Sequence, residues 1–242
     1  MRMGEAHFER SMRSVIDQFD AIAEARSVSD LFLRLEERGI MTRIDPSAEP
    51  TSYRCAIVSQ AELTAMRKIE DVVRLGHVKS IGASRVTLEQ GTVAADDDTL
   101  YINCTAGGVQ PLPPRRVFDG DTVNILSVIW CRPMFSASAI ACVECHVDAE
   151  AEQNAMCTPV PTPEHPADLL RMMGATFANM ARWSQHAETS RWLKSCRLHA
   201  TRLLLRGVDA ADPRRSALLA QNSGKAAIAA GRIRELMAAG AR

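Results

Sequence analysis

Apolar residues recur at helical spacing from the start of the chain. From Phe8, the positions Met12, Val15, Ile16, Phe19, Ile22 and Ala23 keep the i, i+3, i+4 rhythm that gathers them on one face of an amphipathic helix. Ser27 followed by Asp30 reads as an N-cap with an acid in the first turn, and Gly39 after Leu31 and Leu35 reads as a stop. A second, short helix is thus bounded at both ends. Residues 39–46 read as a brief extended segment closed by Pro46, returning the chain to a sheet edge. Ser59 and Glu62 spell a capping box, and Leu63, Met66, Ile69 and Val73 supply a buried stripe as far as Gly76, which predicts a third helix of about four turns.

Beyond Gly76 the period shortens. His77–Ile81, Arg85–Glu89 and Thr99–Cys104 are short runs of β-formers separated by Gly82, Gly91 and an acidic turn, and together they predict a small β-meander. The run Leu100-Tyr101-Ile102-Asn103-Cys104 is uncharged and leads to Gly107-Gly108, the pattern of a buried strand entering a backbone-crowded loop. A loop with three prolines follows, then strand character from Thr122 to Trp130, while Phe135–Val147 suits either strand or helix. After Pro166 the chain turns helical, with stripes through Leu169, Leu170, Met173, Phe177 and Met180, through Trp192, Leu193, Cys196 and His199, and from Leu218 to Leu236.

Composition narrows the classes. With 242 residues, 46% hydrophobic and 24% charged, the chain can bury a sizeable core without a metal or a disulfide framework. Its 29 basic and 29 acidic residues cancel, so no global field draws in a nucleic acid or an anionic membrane surface. The apolar runs fall well short of the roughly 20 residues of a spanning helix, and the first residues lack the ordering of a secretory signal. The expectation is a cytoplasmic protein that contacts neither nucleic acid nor membrane. Its seven cysteines are an odd number at irregular spacing, expected to be reduced and mostly buried.

Cys142-Val143-Glu144-Cys145-His146 matches the C-x-x-C-H spacing of covalent haem attachment. Without an export segment the haem reading is not expected to hold, and a C-x-x-C redox pair or plain core cysteines remain as alternatives. A zinc site would need a second ligand pair, which Cys157 alone does not supply, so no metal is expected. The histidines 7, 77, 165, 186 and 199 do not cluster, and neither H-E-x-x-H nor G-x-S-x-G occurs. The glycine turns that grip a pyrophosphate, G-x-G-x-x-G and G-x-x-x-x-G-K-[ST], are missing as well.

Taken in order, SVSDLFLRLEERGIMTRIDP, IEDVVRLGHVKSI, VTLEQGTV, TLYINCTAGG and SAIACVECHVDAEAEQNAMCTPVPTP resemble the C-terminal half of a bacterial family of FAD/NAD(P)-binding flavoproteins. These are related to the pyridine nucleotide-disulfide oxidoreductases and flavin monooxygenases, and the similarity covers most of residues 6–185. It implies an α/β fold, α+β if the chain is truncated: a partial dinucleotide-binding fold with a small β-meander and a C-terminal helical region. Residues 1–76 would be a mostly helical remnant of the NAD(P)-binding domain, 77–160 the β-rich return into the FAD-binding domain, and 161–242 the helical end. Thr105, Ala106, Gly107 and Gly108 match the family's small-residue turn close to the flavin.

The implied cofactors are FAD and NAD(P). The implied function is a truncated or split oxidoreductase-like protein lacking its own pyrophosphate loops, which either pairs with a separately encoded N-terminal half or has lost oxidoreductase activity. The competing expectation is a non-enzymatic interaction protein that uses the remnant fold to bind a partner or to form a homo-oligomer.

Overall fold

The computed structural model describes residues 5–52, 58–96, 98–105, 115–205 and 207–240. The fold class is α+β: long helices with two small sheets, and every strand pairing among the described residues is antiparallel. The chain divides into two compact units, 1–56 together with 112–242, and 57–111. These limits do not coincide with boundaries at 76 and 160.

The larger unit begins with α1 (Glu5–Glu24), which carries the expected stripe: Phe8, Met12, Ile16, Phe19 and Ile22 are all buried. Helix α2 (Val28–Glu37) starts where Ser27 Oγ accepts the Asp30 N–H at 3.1 Å and stops at Gly39, whose φ of +65° suits only a residue without a Cβ. The stretch after it joins no sheet, which corrects the expected return to a sheet edge. Residues 213–240 form one long helix, α9 (Pro213–Gly240), which lies parallel to α1: Arg214 meets Glu5, Lys225 meets Asp20 at 2.5 Å, and Arg232 Nε donates to the carbonyl of Ala25 at 2.8 Å. The last bond satisfies a carbonyl that the end of α1 leaves without a helical donor. Helix α6 (Asp168–Gln185) packs on α9 with Gly174 at the contact, where an added Cβ would come 3.5 Å from the sulfur of Met237. The resulting core holds Ile22, Leu31, Leu35, Leu169, Leu170, Met173 and Ile233.

A second core gathers around Trp183 of α6. It contains Val117, Phe118, Val128, Ile129, Phe135, Ile140, Val143, Met156 and Leu193. Phe118 comes from the ribbon of β4 (Phe118–Asp119) and β5 (Thr122–Val123), Val117, Val128 and Ile129 from the stretches beside that ribbon, and the others from helices α4 (Pro133–His146), α5 (Glu150–Met156) and α7 (Ala187–Ser195). The ambiguous stretch 135–147 is thus helix as far as His146, with Val147 extended. Its apolar residues run around the helix rather than along one stripe, which is why periodicity could not separate it from a strand. A short helix α8 (Ala200–Leu204) follows α7.

The expected strand from Thr122 to Trp130 is corrected: only its first two residues join a ladder. The rest is pinned by side chains. Ser136 Oγ accepts the N–H groups of Val128 and Ile129, Thr176 Oγ1 accepts that of Trp130, and Asn179 Nδ2 donates to the Val128 carbonyl. Buried backbone must find partners, and here side chains provide them where a sheet does not.

Asp168 opens α6 and is itself largely buried. Burial works to raise its pKa, but N–H bonds from His165 at 2.8 Å and Glu164 at 2.9 Å, with Arg171 at 2.5 Å, outweigh it and hold the carboxyl below its ordinary 3.8. A depressed folded-state pKa contributes stability that is present above the unfolded value and lost as pH falls through the folded one. The melting temperature is therefore expected to drop with acidification below about pH 4. Asp168→Asn should remove that part of the acid dependence and cost about 1 kcal/mol at neutral pH. Thermal melts of both proteins from pH 7 to pH 2 check this.

The smaller unit starts with α3 (Gln60–Met66). The capping box is formed as spelled: Ser59 Oγ accepts the Glu62 N–H at 3.2 Å, and Glu62 Oε2 accepts the Ser59 N–H at 2.7 Å. The helix nevertheless stops at Met66, well short of Gly76, and Ile69, Val72 and Val73 are exposed. The meander is present with a different third strand: β1 (Val78–Ile81), β2 (Arg85–Leu88) and β3 (Gly91–Ala94) pair in that order. Thr99–Cys104 is not a strand and is not buried, which corrects the expected buried third strand; Leu100 is 82% and Ile102 76% exposed.

Candidate functional site

The family resemblance implies that four residues, 105–108, lie close to a flavin. Thr105 is described and exposed, while Ala106, Gly107 and Gly108 lie outside the described residues. Thr105 sits in a turn closed on Asn103, whose Oδ1 accepts the Thr105 N–H at 3.0 Å and its hydroxyl at 2.6 Å. This is an Asx turn, a local substitute for ladder pairing. Before it runs Leu100-Tyr101-Ile102, three large apolar side chains in water. The arrangement is a strand-like sequence without a sheet.

In the same unit, Val78 and Ile81 of β1 are also more than half exposed, at 56% and 51%. Scattered exposed apolar residues are ordinary on a folded surface. In this short unit both a strand and the extended segment expose their β-formers.

The C-x-x-C-H run falls on α4. Cys142 is buried and Cys145 exposed, and His146 Nδ1 donates to the carbonyl of Cys142 at 2.8 Å, one turn back. The two thiols therefore face different surroundings. Burial, with Cys145 and Cys196 close by, pushes the Cys142 thiol up to about 11, and burial pushes Cys157 up to about 12. A thiol so raised is protonated at neutral pH and is a poor nucleophile. Cys196 is buried too, whereas Cys104 is exposed. Cys131 is disulfide-bonded, which departs from the expectation of reduced thiols. Among the described residues no group of three or more His, Cys, Asp or Glu side chains is placed to hold a metal ion.

A feature that the sequence reading passed over lies between α7 and α8. There an open cavity of about 260 Å³ is lined by Leu193, Lys194, His199, Thr201, Arg202 and Leu205. His199 packs its ring 5.8 Å from that of Phe135, and burial, with the charge of Arg132 added, lowers its pKa below the ordinary 6.5. Arg202 Nη1 donates to the carbonyl of Ser195 at the end of α7. The signal was legible as a density of cations: Lys194, Arg197 and Arg202 stand within nine residues with His199 and no acid among them. By hydropathy alone His199 falls on an apolar stripe.

These features define an α+β protein with an exposed apolar segment and a cation-flanked cavity. No known family profile matches the chain, and no solved structure matches it. It is similar to uncharacterized proteins of Mycobacterium tuberculosis and Mycobacterium bovis, each 43% identical over 180 residues, which is 74% of this chain and 34% of the relative. The chain thus spans about a third of the length of the curated relatives it matches. Among the described residues no helix is long and apolar enough to cross a membrane.

Proposed function

We propose that this chain supplies one portion of an FAD/NAD(P)-dependent oxidoreductase-like protein, and that the pyrophosphate-gripping turns are supplied by the rest. The observation that carries this reading is the segment Leu100–Ile102, apolar, exposed and outside any ladder, leading directly into the Asn103–Thr105 turn. An edge of unpaired backbone with β-forming side chains is a template for another strand. The relatives, with about two thirds of their length beyond the matched region, have chain enough to provide it.

The turn suits a flat ligand. Both donors of Thr105 are satisfied inside it by Asn103, so a ring packed against the turn strands neither of them. Bound flavin would supply the hydride chemistry, and this chain would contribute packing and the exclusion of water beside it. A cytoplasmic setting is part of the proposal.

The test is to express the chain together with a segment equivalent to the remainder of the mycobacterial relatives. A yellow complex with one flavin per assembly is the expected result, with the chain by itself colourless. A colourless complex would favour the interaction-protein reading, which the same exposed segment supports. Failure of the two segments to form any complex would remove both.

A further inference from the structure

The cavity between α7 and α8 belongs to neither reading above and has a chemistry of its own. Its wall is mostly carbon, contributed by Leu193, Leu205 and the stems of the longer side chains, while Lys194, His199, Thr201 and Arg202 bring every polar group. Long cationic side chains lay their methylenes along apolar surface and keep the charge at the water's edge. Among the described residues no carboxylate lines the cavity. The nearest acid on α7, Glu188, is paired with Arg191 at 2.5 Å. Arg132 adds a further positive charge acting on His199.

Three occupants can be weighed against this wall. A neutral apolar molecule would displace water from the cations and return nothing for it, which is costly. A small inorganic anion would answer the charge and leave the carbon wall wet. A compact organic anion answers both. The volume, slightly below the usual range of about 300–1,000 Å³ for ligand pockets, limits the body to about the size of one ring or a short branched chain. Arg202 has spent one donor on Ser195, and a guanidinium has others in the same fork.

We propose that this cavity is a binding site for a compact organic anion, an apolar or aromatic body carrying a carboxylate, whose head is met by Lys194 and Arg202 and whose body lies against Leu193 and Leu205. Thr201 offers a hydroxyl to the same head, and His199 forms part of the wall.

Benzoate is the probe, titrated into the full chain and followed by NMR at the His199 ring, with benzyl alcohol and inorganic phosphate as comparators. Benzoate is expected to bind with a dissociation constant on the order of 1 mM, a value within reach of so small a ligand. Benzyl alcohol and phosphate should each be at least about 10-fold weaker, since each lacks one half of the match. Lys194→Gln, at an exposed position where folding is not at stake, should weaken benzoate about 5-fold, while leaving the melting temperature in place. Bound benzoate should also raise the pH at which His199 titrates, because an anion beside it favours the imidazolium. Benzyl alcohol or phosphate binding as tightly as benzoate, an unaltered affinity in Lys194→Gln, or no benzoate binding at tens of millimolar would each overturn the assignment.

Discussion

Asn179→Ala is expected to destabilise the larger unit by about 4 kcal/mol, because it leaves several buried backbone groups without partners at once. Asn179 is fully buried on α6, and its amide ties two stretches of chain together. Nδ2 donates to the carbonyls of Val128 at 2.8 Å and Thr158 at 2.7 Å, and Oδ1 accepts the Thr158 N–H at 3.1 Å. Among the described residues one backbone bond, Val160 N–H to the Ser127 carbonyl, joins the same two stretches directly. The side chain therefore stands where a second rung of a ladder would stand. An unsatisfied buried amide group costs roughly 1–3 kcal/mol, and three are exposed to that penalty, with water entering the cavity offsetting part of it. Denaturant titration of the variant should show a lower midpoint with an unchanged slope. Asn179→Asp is the sharper comparison: it keeps Oδ1 as acceptor and loses both donors, so it should be at least as unstable, with a buried charge added. A loss under about 1 kcal/mol in both variants would mean that Val128 and Thr158 are held by something else.

The same residue shows what the sequence could and could not reveal. Elements closed by local chemistry were legible: the Ser27 cap, the Ser59–Glu62 box and the stop at Gly39 all depend on residues within a turn of one another. The long stripes of α1 and α6 were legible too, since both are buried along one face. Long-range polar pinning was not. Asn179 and Val128 are 51 positions apart, and nothing in the spelling of Thr122–Trp130 says that its backbone is served by Ser136, Thr176 and Asn179 instead of a neighbouring strand. A run of β-formers satisfies both outcomes. The third helix failed differently: its stripe through Ile69 and Val73 is real, but those side chains are exposed, and an apolar face without a counterpart does not carry a helix past its cap. At the candidate sites, the Asx turn at Thr105 rests on Asn103 two residues away, a local relation, whereas the cation-flanked cavity escapes a reading of His199 by hydropathy that leaves out the charges around it.

Ile102→Asp separates what the chain needs for itself from what an assembled protein would need from it. Ile102 is 76% exposed and Leu100 82%, so within the chain a carboxylate at position 102 displaces little packing, and the melting temperature should stay within the change expected of about 0.5 kcal/mol. In the complex of the proposed oxidoreductase the same position would lie against an added strand. There the substitution removes roughly 1.5–3 kcal/mol of apolar burial and adds the cost of enclosing a charge, so assembly should weaken by at least about 100-fold and the flavin should be lost with it. Co-purification and the visible spectrum read the two effects separately. Glu70→Ala, at an exposed polar position of the same unit, controls for a surface change of no consequence. If Ile102→Asp assembles and holds flavin like the parent, the exposed segment is not the strand that the remainder pairs with. If it unfolds the chain alone, Ile102 is already packed and its exposure was no invitation to a partner. Only the combination of an intact chain and a failed assembly ties the exposed strand-forming residues to the proposed function, because that is the one outcome in which their burial occurs in the complex and nowhere else.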